Sequence, residues 1–160
     1  MKLSSLEYTA SLPRKRMGAG VLFINGAGRV LLVEPMYKES WEIPGGTVEA
    51  DESPYAGAVR EVKEELGLVV TPGRLLVVDW AAPRADRTEG VMFIYAGGIL
   101  APDRVDEIRL PADELRSWAW CTPAEADTCL AEQLANRVRA AVRAEAQGTT
   151  AYLENGRQVA

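Results

Sequence analysis

Residues 41–68 constrain what this chain can fold into more than any other stretch of it. The run opens with Trp41-Glu42-Ile43-Pro44-Gly45-Gly46, a bend or strand end in which proline and paired glycines rule out a continuing helix. Helix signals follow at once. Ser53 suits an N-cap, Pro54 the first helical position and Gly67 a C-terminal stop, so the spacing predicts a helix over 53–67. At about 100° per residue, Tyr55, Val59, Val62 and Leu66 form one apolar stripe that must be buried. Glu61, Glu64 and Glu65 cluster on the opposite side, at the i, i+3 and i+4 spacing that makes side chains neighbours.

Three stacked glutamates repel one another. A solvated acidic face would normally relieve this with Lys or Arg four residues after a Glu, yet the residue four after Glu61 is Glu65, and Lys63 points elsewhere. A solvated face stays open as a reading. A hard cation with oxygen ligands accounts better for an acidic ridge beside a glycine-rich bend.

Composition narrows the chemistry further. The 160 residues contain no histidine, which removes Ser-His-Asp and Cys-His nucleophile systems and histidine bases. Two cysteines, Cys121 and Cys129, neither in a CxxC pair, make a zinc site improbable and fit free thiols in a reducing cytoplasm. The net charge of −5 argues against a partner as polyanionic as a nucleic-acid duplex. Small anionic substrates stay open, because a metal ion supplies positive charge locally. The N-terminus lacks the apolar stretch of a signal peptide, and no segment has the roughly 20 apolar residues a membrane span needs.

Elsewhere, 18–25 and 29–34 read as a β-hairpin around Asn25-Gly26, and 73–81 and 91–100 as strands joined by a polar loop over 83–90. A short strand is expected at 115–121. Thr122 and Glu125 then form a capping box, and Leu130, Leu134, Val138 and Val142 mark one longer helix. The expected organisation is an N-terminal arm (1–16), one mixed α+β domain with helices on a sheet (17–147) and a tail (148–160) of ambiguous structure.

The order Gly46, five residues, Glu52, seven residues, Arg60-Glu61-Val62-Lys63-Glu64-Glu65-Leu66-Gly67-Leu68 resembles the Nudix box at every fixed position. The flanking order of elements is also similar to a Nudix domain. The resemblance implies an α/β/α sandwich with a mixed sheet and a loop–helix–loop box that binds Mg²⁺ or Mn²⁺ against a substrate diphosphate. On that resemblance Glu61, Glu64 and Glu65 are the metal ligands, joined by the Gly45 carbonyl. Arg60 is a positioning residue that pairs with a nearby carboxylate such as Glu52. An acidic residue beyond the box would act as ligand or general base, with Glu114 first and Asp113, Asp106 and Glu107 competing.

Trp41 is read as core packing ahead of base stacking. The basic run Arg14-Lys15-Arg16 is either a solvated arm or a contact to substrate phosphates, with Arg16 as the substrate-side candidate. The resemblance implies water attack on the diphosphate of a nucleoside diphosphate linked to another group. ADP-ribose, nucleotide sugars, dinucleoside polyphosphates and nucleoside triphosphates are all open. The alternative is a non-catalytic Nudix domain serving as nucleotide sensor or interaction module. Many members of the family are homodimers, so oligomeric state is open as well.

Overall fold

The computed structural model describes residues 2–159. In chain order the elements are α1 (Ser5–Ser11), β1 (Arg16–Ile24), β2 (Val30–Pro35), β3 (Gly45–Thr47), α2 (Pro54–Leu66), β4 (Leu75–Ala81) and β5 (Gly90–Ile99). They continue with α3 (Pro102–Val105), β6 (Leu115–Cys121), α4 (Pro123–Cys129), α5 (Glu132–Gln147), β7 (Ala151–Glu154) and β8 (Arg157–Gln158). All strands join one mixed sheet in the order β6-β2-β1-β5-β4-β7-β8, with β3 paired to β1 off that path. Pairs β1·β5 and β4·β7 are parallel, and the rest are antiparallel.

Alternation along β1 and β2 builds two cores from one sheet. Val21, Phe23, Leu31 and Val33 point to the α2 side, where they pack with Ala58, Val62 and Leu66. Leu22, Val30 and Leu32 point the other way, against Val138, Ala141 and Ala144 of α5. A strand buried on both faces reads as a continuous apolar run, which is how β1 and β2 read in the sequence. The result is the expected α+β fold, a helix layer on each face of a mixed sheet.

Several local expectations need correction. The buried stripe of α2 is Gly57, Ala58, Val62 and Leu66, with Tyr55 and Val59 only half-buried. The hairpin turn does contain Asn25-Gly26 but is longer than that pair, running from Asn25 to Arg29. The Asn25 side chain accepts from the N–H groups of Ala27 and Arg29, and the left-handed residue is Gly28. The single C-terminal helix is two helices, broken at extended Leu130 and Ala131, and the surface α5 presents to the sheet is mostly alanine. Small side chains let that helix approach β4 closely.

The arm and tail are also more structured than their composition suggested. Ser4 and Glu7 form a capping box that opens α1, and Arg16 begins β1 instead of ending an arm. Residues 151–158 complete the sheet, β7 lying parallel to β4 and folding into β8 through Asn155-Gly156. Both turn residues have positive φ (52° and 75°), the conformation a two-residue hairpin needs and that Asn-Gly tolerates.

Candidate functional site

β1 and β2 pair only next to their turn, at Ile24 and Val30. Beyond it, residues 42–47 fill the gap between them. Glu42 exchanges both backbone hydrogen bonds with Val33 (2.8 and 2.9 Å), the Val21 N–H donates to the Pro44 carbonyl (2.9 Å), and β3 runs along β1. The wedge carries Gly45 and Gly46 to the middle of the sheet. A side chain at Gly45 would place its Cβ 2.5 Å from Gly20 Cα, so only glycine lets β3 lie this close to β1. At Gly46 the Cβ would fall 2.5 Å from the Glu61 carboxyl carbon, so the absent side chain is the space Glu61 occupies.

Helix α2 lies over this notch. Ser53 caps it by accepting from the Ala56 N–H (3.1 Å), and Gly67 ends it with φ 70°. The ridge is not uniform: Glu64 stands out in solvent, whereas Glu61 turns inward, its side chain only 16% exposed. Glu65 lies at the inner edge and accepts the Gly45 N–H at 2.9 Å. Burial pushes the Glu65 carboxyl up to about 8, helped by the charges of Glu61, Glu42 and Glu114 and opposed by the Gly45 N–H. Glu61 is raised by the same burial, against which the Arg60 guanidinium pulls.

Arg60 joins the box together. Its Nε and Nη2 grip the Glu52 carboxylate (2.7 and 2.9 Å), and Nη1 donates to Glu61 (2.9 Å) and Glu64 (3.1 Å). Nη2 also donates to the Thr47 carbonyl at 2.9 Å, fixing the helix to β3. Glu52 is held below its usual range chiefly by this hydrogen bond.

A cleft of about 540 Å³ opens between α2, β3 and the start of β1. Glu61, Glu64, Glu65, Gly45 and Glu114 all line it, as does Arg16. Of the four acids weighed beyond the box, Glu114 is the one at the cleft. Glu107 is instead paired with Arg104, and Asp106 offers its backbone carbonyl to Arg109. Trp41 lies outside the carboxylate cleft. Its ring packs on the α5-side core and lines a neighbouring cavity of about 710 Å³. Arg16 borders both cavities, its Nε donating to the Thr88 carbonyl (3.0 Å), while Lys15 pairs with Glu89 and so leaves the site.

Glu42, Tyr37 and Arg137 also border the carboxylate cleft and escaped sequence reasoning. Glu42 sits inside the Trp41–Gly46 bend, but nothing local marks its carboxylate as facing Glu65. Arg137 looks like any solvated helix arginine until the buried Asp79 that holds it is seen (Nε to Oδ2, 2.7 Å).

The donors around the bend are all oxygens: several carboxylates and a backbone carbonyl. That is the chemistry of a hard divalent cation such as Mg²⁺. Among the described residues, no three acidic or sulfur side chains already stand in metal-holding geometry. Arg60 engages Glu61 and Glu64, and the Gly45 N–H engages Glu65, each contact leaving further oxygen lone pairs on these carboxylates for a cation.

Comparisons with known proteins bear on the family and the fold. The family model described as NUDIX domain matches residues 14–144. A MutT-like protein of Streptomyces ambofaciens is 26% identical over 141 residues, covering 85% of this chain and 82% of that protein. The CTP pyrophosphohydrolase of Escherichia coli is 32% identical over 103 residues, 62% of this chain and 70% of its own length. An RNA pyrophosphohydrolase of Hydrogenovibrio crunogenus is 33% identical over 67 residues, and the match spans only 41% of that protein. The structure of a MutT NUDIX hydrolase from Burkholderia pseudomallei, 24% identical, superposes with a TM-score of 0.65 over 82% of this chain and 98% of that one. At that identity the superposition speaks to the fold.

Proposed function

Since this chain belongs to the NUDIX family and is a hydrolase of pyrophosphate bonds, we propose that its reaction is the metal-dependent hydrolysis of a nucleoside diphosphate linked to a second group. The observation that supports this reading is the convergence of Glu61, Glu65 and Glu114 on one cleft beside the Gly45–Gly46 bend. In this reading Glu61, Glu64, Glu65 and the Gly45 carbonyl hold Mg²⁺ or Mn²⁺. When bound, the ion offsets the charge of the diphosphate and lowers the pKa of water.

The chain's own groups do the rest. Glu114, the one carboxylate in the cleft from beyond the box apart from Glu42, accepts the proton of the attacking water. The water oxygen forms a bond to phosphorus as the bridging P–O bond breaks, and the bridging oxygen leaves with the departing phosphate. Arg60 does not touch substrate. It positions the helix by tying Glu52, Glu61 and the Thr47 carbonyl together. Arg16, at the mouth, is placed to meet a substrate phosphate. Trp41 serves mainly as packing. A reducing cytoplasm is the setting in which the two unpaired thiols, Cys121 and Cys129, would persist.

The test is a phosphate-release panel of nucleoside triphosphates, ADP-ribose, nucleotide sugars and dinucleoside polyphosphates, with Mg²⁺ and with EDTA. Turnover of one class that EDTA abolishes is the expected result. Silence across the panel from folded protein would favour the non-catalytic sensor instead.

A further inference from the structure

Arg137 lies where the two cavities meet. The carboxylate cleft and the neighbouring cavity of about 710 Å³ share five wall residues, Arg16, Glu42, Met92, Leu134 and Arg137, which form a neck between them. Arg137 is on the second turn of α5, far in sequence from the box. It reaches the neck because of how that helix packs. The buried residues Ala135, Val138, Ala141 and Ala144 are mostly small, so α5 comes down close to β4. Asp79 stands within β4, wholly buried. Its carboxylate accepts from Arg137 Nε (2.7 Å) and from the Gly156 N–H (3.0 Å). A carboxylate in a core is unfavourable unless it is paired and hydrogen-bonded in this way.

The pairing leaves half of the guanidinium over. An arginine commonly meets a carboxylate with two parallel N–H donors. Arg60 does so with Glu52, through Nε and Nη2. Arg137 gives Asp79 only Nε, and among the described residues neither Nη1 nor Nη2 has a partner. Glu42, the one acid in the neck, is bonded to Lys38 instead. The Arg137 side chain is only 12% exposed, yet among the described residues no buried side-chain nitrogen lacks a partner. Both Nη groups are therefore open, and what they open onto is the neck.

Net charge plays little part here. Asp79 neutralises Arg137, so the pair meets an anion through directed N–H donors rather than as a free cation. Donors held rigidly in a wall shielded from water suit charge that develops at one place during a reaction. Stability alone does not account for the arrangement, because apolar residues of similar volume are often as stable as a buried ion pair.

We propose that Arg137 is a catalytic residue of this site, donating through Nη1 and Nη2 to non-bridging oxygens of the phosphate that leaves, and that Asp79 is its positioning residue. The inference rests on the hydrolase reading for the direction of the substrate. With the cation and the attacking water among Glu61, Glu65 and Glu114, the phosphate under attack lies in the carboxylate cleft. The phosphate beyond the bridging oxygen then lies at the neck, in front of Arg137. As the bridging P–O bond breaks, its electron pair stays on that oxygen, and the departing phosphate gains negative charge. The Nη groups meet that charge without rearranging, because Asp79 already holds Nε.

Two variants separate this role from a structural one. In R137K a single ammonium keeps the pair with Asp79 but has no fork left to offer. In D79N/R137Q both charges go together, so no buried charge is left unpaired. Circular dichroism melts establish that each is folded. kcat, KM and the Mg²⁺ concentration for half-maximal rate are then measured on whichever compound of the panel wild type turns over. Both variants should lose kcat by about tenfold or more, the scale of a hydrogen bond to a charged group, with the Mg²⁺ midpoint unchanged. R143Q, which removes an exposed α5 arginine outside both cavities, should match wild type. Near-wild-type kcat in either folded variant would overturn the role. So would a loss that more Mg²⁺ fully restores, since Arg137 would then act only through the metal-binding carboxylates. If no compound turns over, calorimetry with Mg²⁺ and adenosine α,β-methylene diphosphate decides, because the bridge of that nucleoside diphosphate cannot be cleaved. Binding that weakens about tenfold in both variants would keep the contact to a diphosphate while sinking the hydrolase reading. Equal binding, or none by wild type, would sink the contact.

Discussion

Arg60 and Glu52 meet side by side, Nε to Oε2 at 2.7 Å and Nη2 to Oε1 at 2.9 Å, closing the loop that precedes α2 onto the helix itself. The same guanidinium reaches Glu61 and the Thr47 carbonyl, so one side chain fixes loop, helix and β3 together. Lysine carries the charge but not the fork. R60K should therefore raise the Mg²⁺ concentration for half-maximal activity by about tenfold or more, the scale for a residue that orients ligands. A titration of activity against Mg²⁺ that superposes on wild type would refute the positioning role. The pair holds Glu52 below its usual range, so its stabilisation is present above that range and is lost as pH falls through the lowered value. The stability gap between wild type and R60K should therefore close in acid.

Glu65 predicts the opposite pH trend. Its carboxyl is pushed up to about 8 from an ordinary 4.5, chiefly by burial. A raised folded-state value favours folding below the ordinary pKa, and that contribution is lost as pH rises through about 8. Metal-free protein in EDTA should thus lose thermal stability between about pH 5 and 8, and Mg²⁺ should restore most at the alkaline end, where it no longer displaces a proton. A melting temperature in EDTA that is flat across this range would contradict the burial of Glu65.

Gly46 is the cradle of Glu61. In G46A the new methyl would stand 2.5 Å from the Glu61 carboxyl carbon and force that side chain out of the cleft. Displacement on the scale of an ångström costs about a hundredfold in rate. The expected variant is folded but loses activity by that order, and near-wild-type kcat would show that Glu61 is not used where it lies.

Asp79 and Arg137 form a pair in which Asp79 is wholly buried and also accepts the Gly156 N–H. Removing one member of a buried pair leaves the other uncompensated, at a cost of about 3–5 kcal/mol. D79A should lower the urea midpoint accordingly and expose the C-terminal hairpin to protease first. Loss of less than about 1 kcal/mol, within the range of exposed ion pairs, would place the bracing elsewhere.

Much of the fold was legible because its signals are local. Ser53, Pro54 and Gly67 bound α2 by backbone chemistry alone, and the apolar runs of β1 and β2 identify strands buried on both faces. Spacing was enough to single out the box glutamates, which line one cleft, and Arg60, which ties Glu52 to Glu61. Their unequal burial was not, because it depends on a notch made by Gly45 and Gly46 lying across β1. The tail stayed ambiguous in the sequence although Asn155-Gly156 carries a strong hairpin signal. Strand β7 is four residues long, and its partner β4 lies more than seventy positions away. The arm hid a capping box, Ser4 with Glu7, ahead of too few apolar residues to read as a buried helix. The cavity of about 710 Å³ beside the site is lined from β1, the 84–87 turn, α5 and β8, so no window of sequence contains it.

On the proposed reading, Glu65 and its neighbours hold a cation that enables hydrolysis. The most direct measurement is phosphate release by wild type, E61Q and E65Q, each with Mg²⁺ and with EDTA, alongside circular dichroism to confirm folding. Wild-type turnover that vanishes in EDTA, and falls by about a hundredfold or more in both folded variants, is the predicted result. Turnover that persists in EDTA, or is unchanged by either substitution, would contradict it.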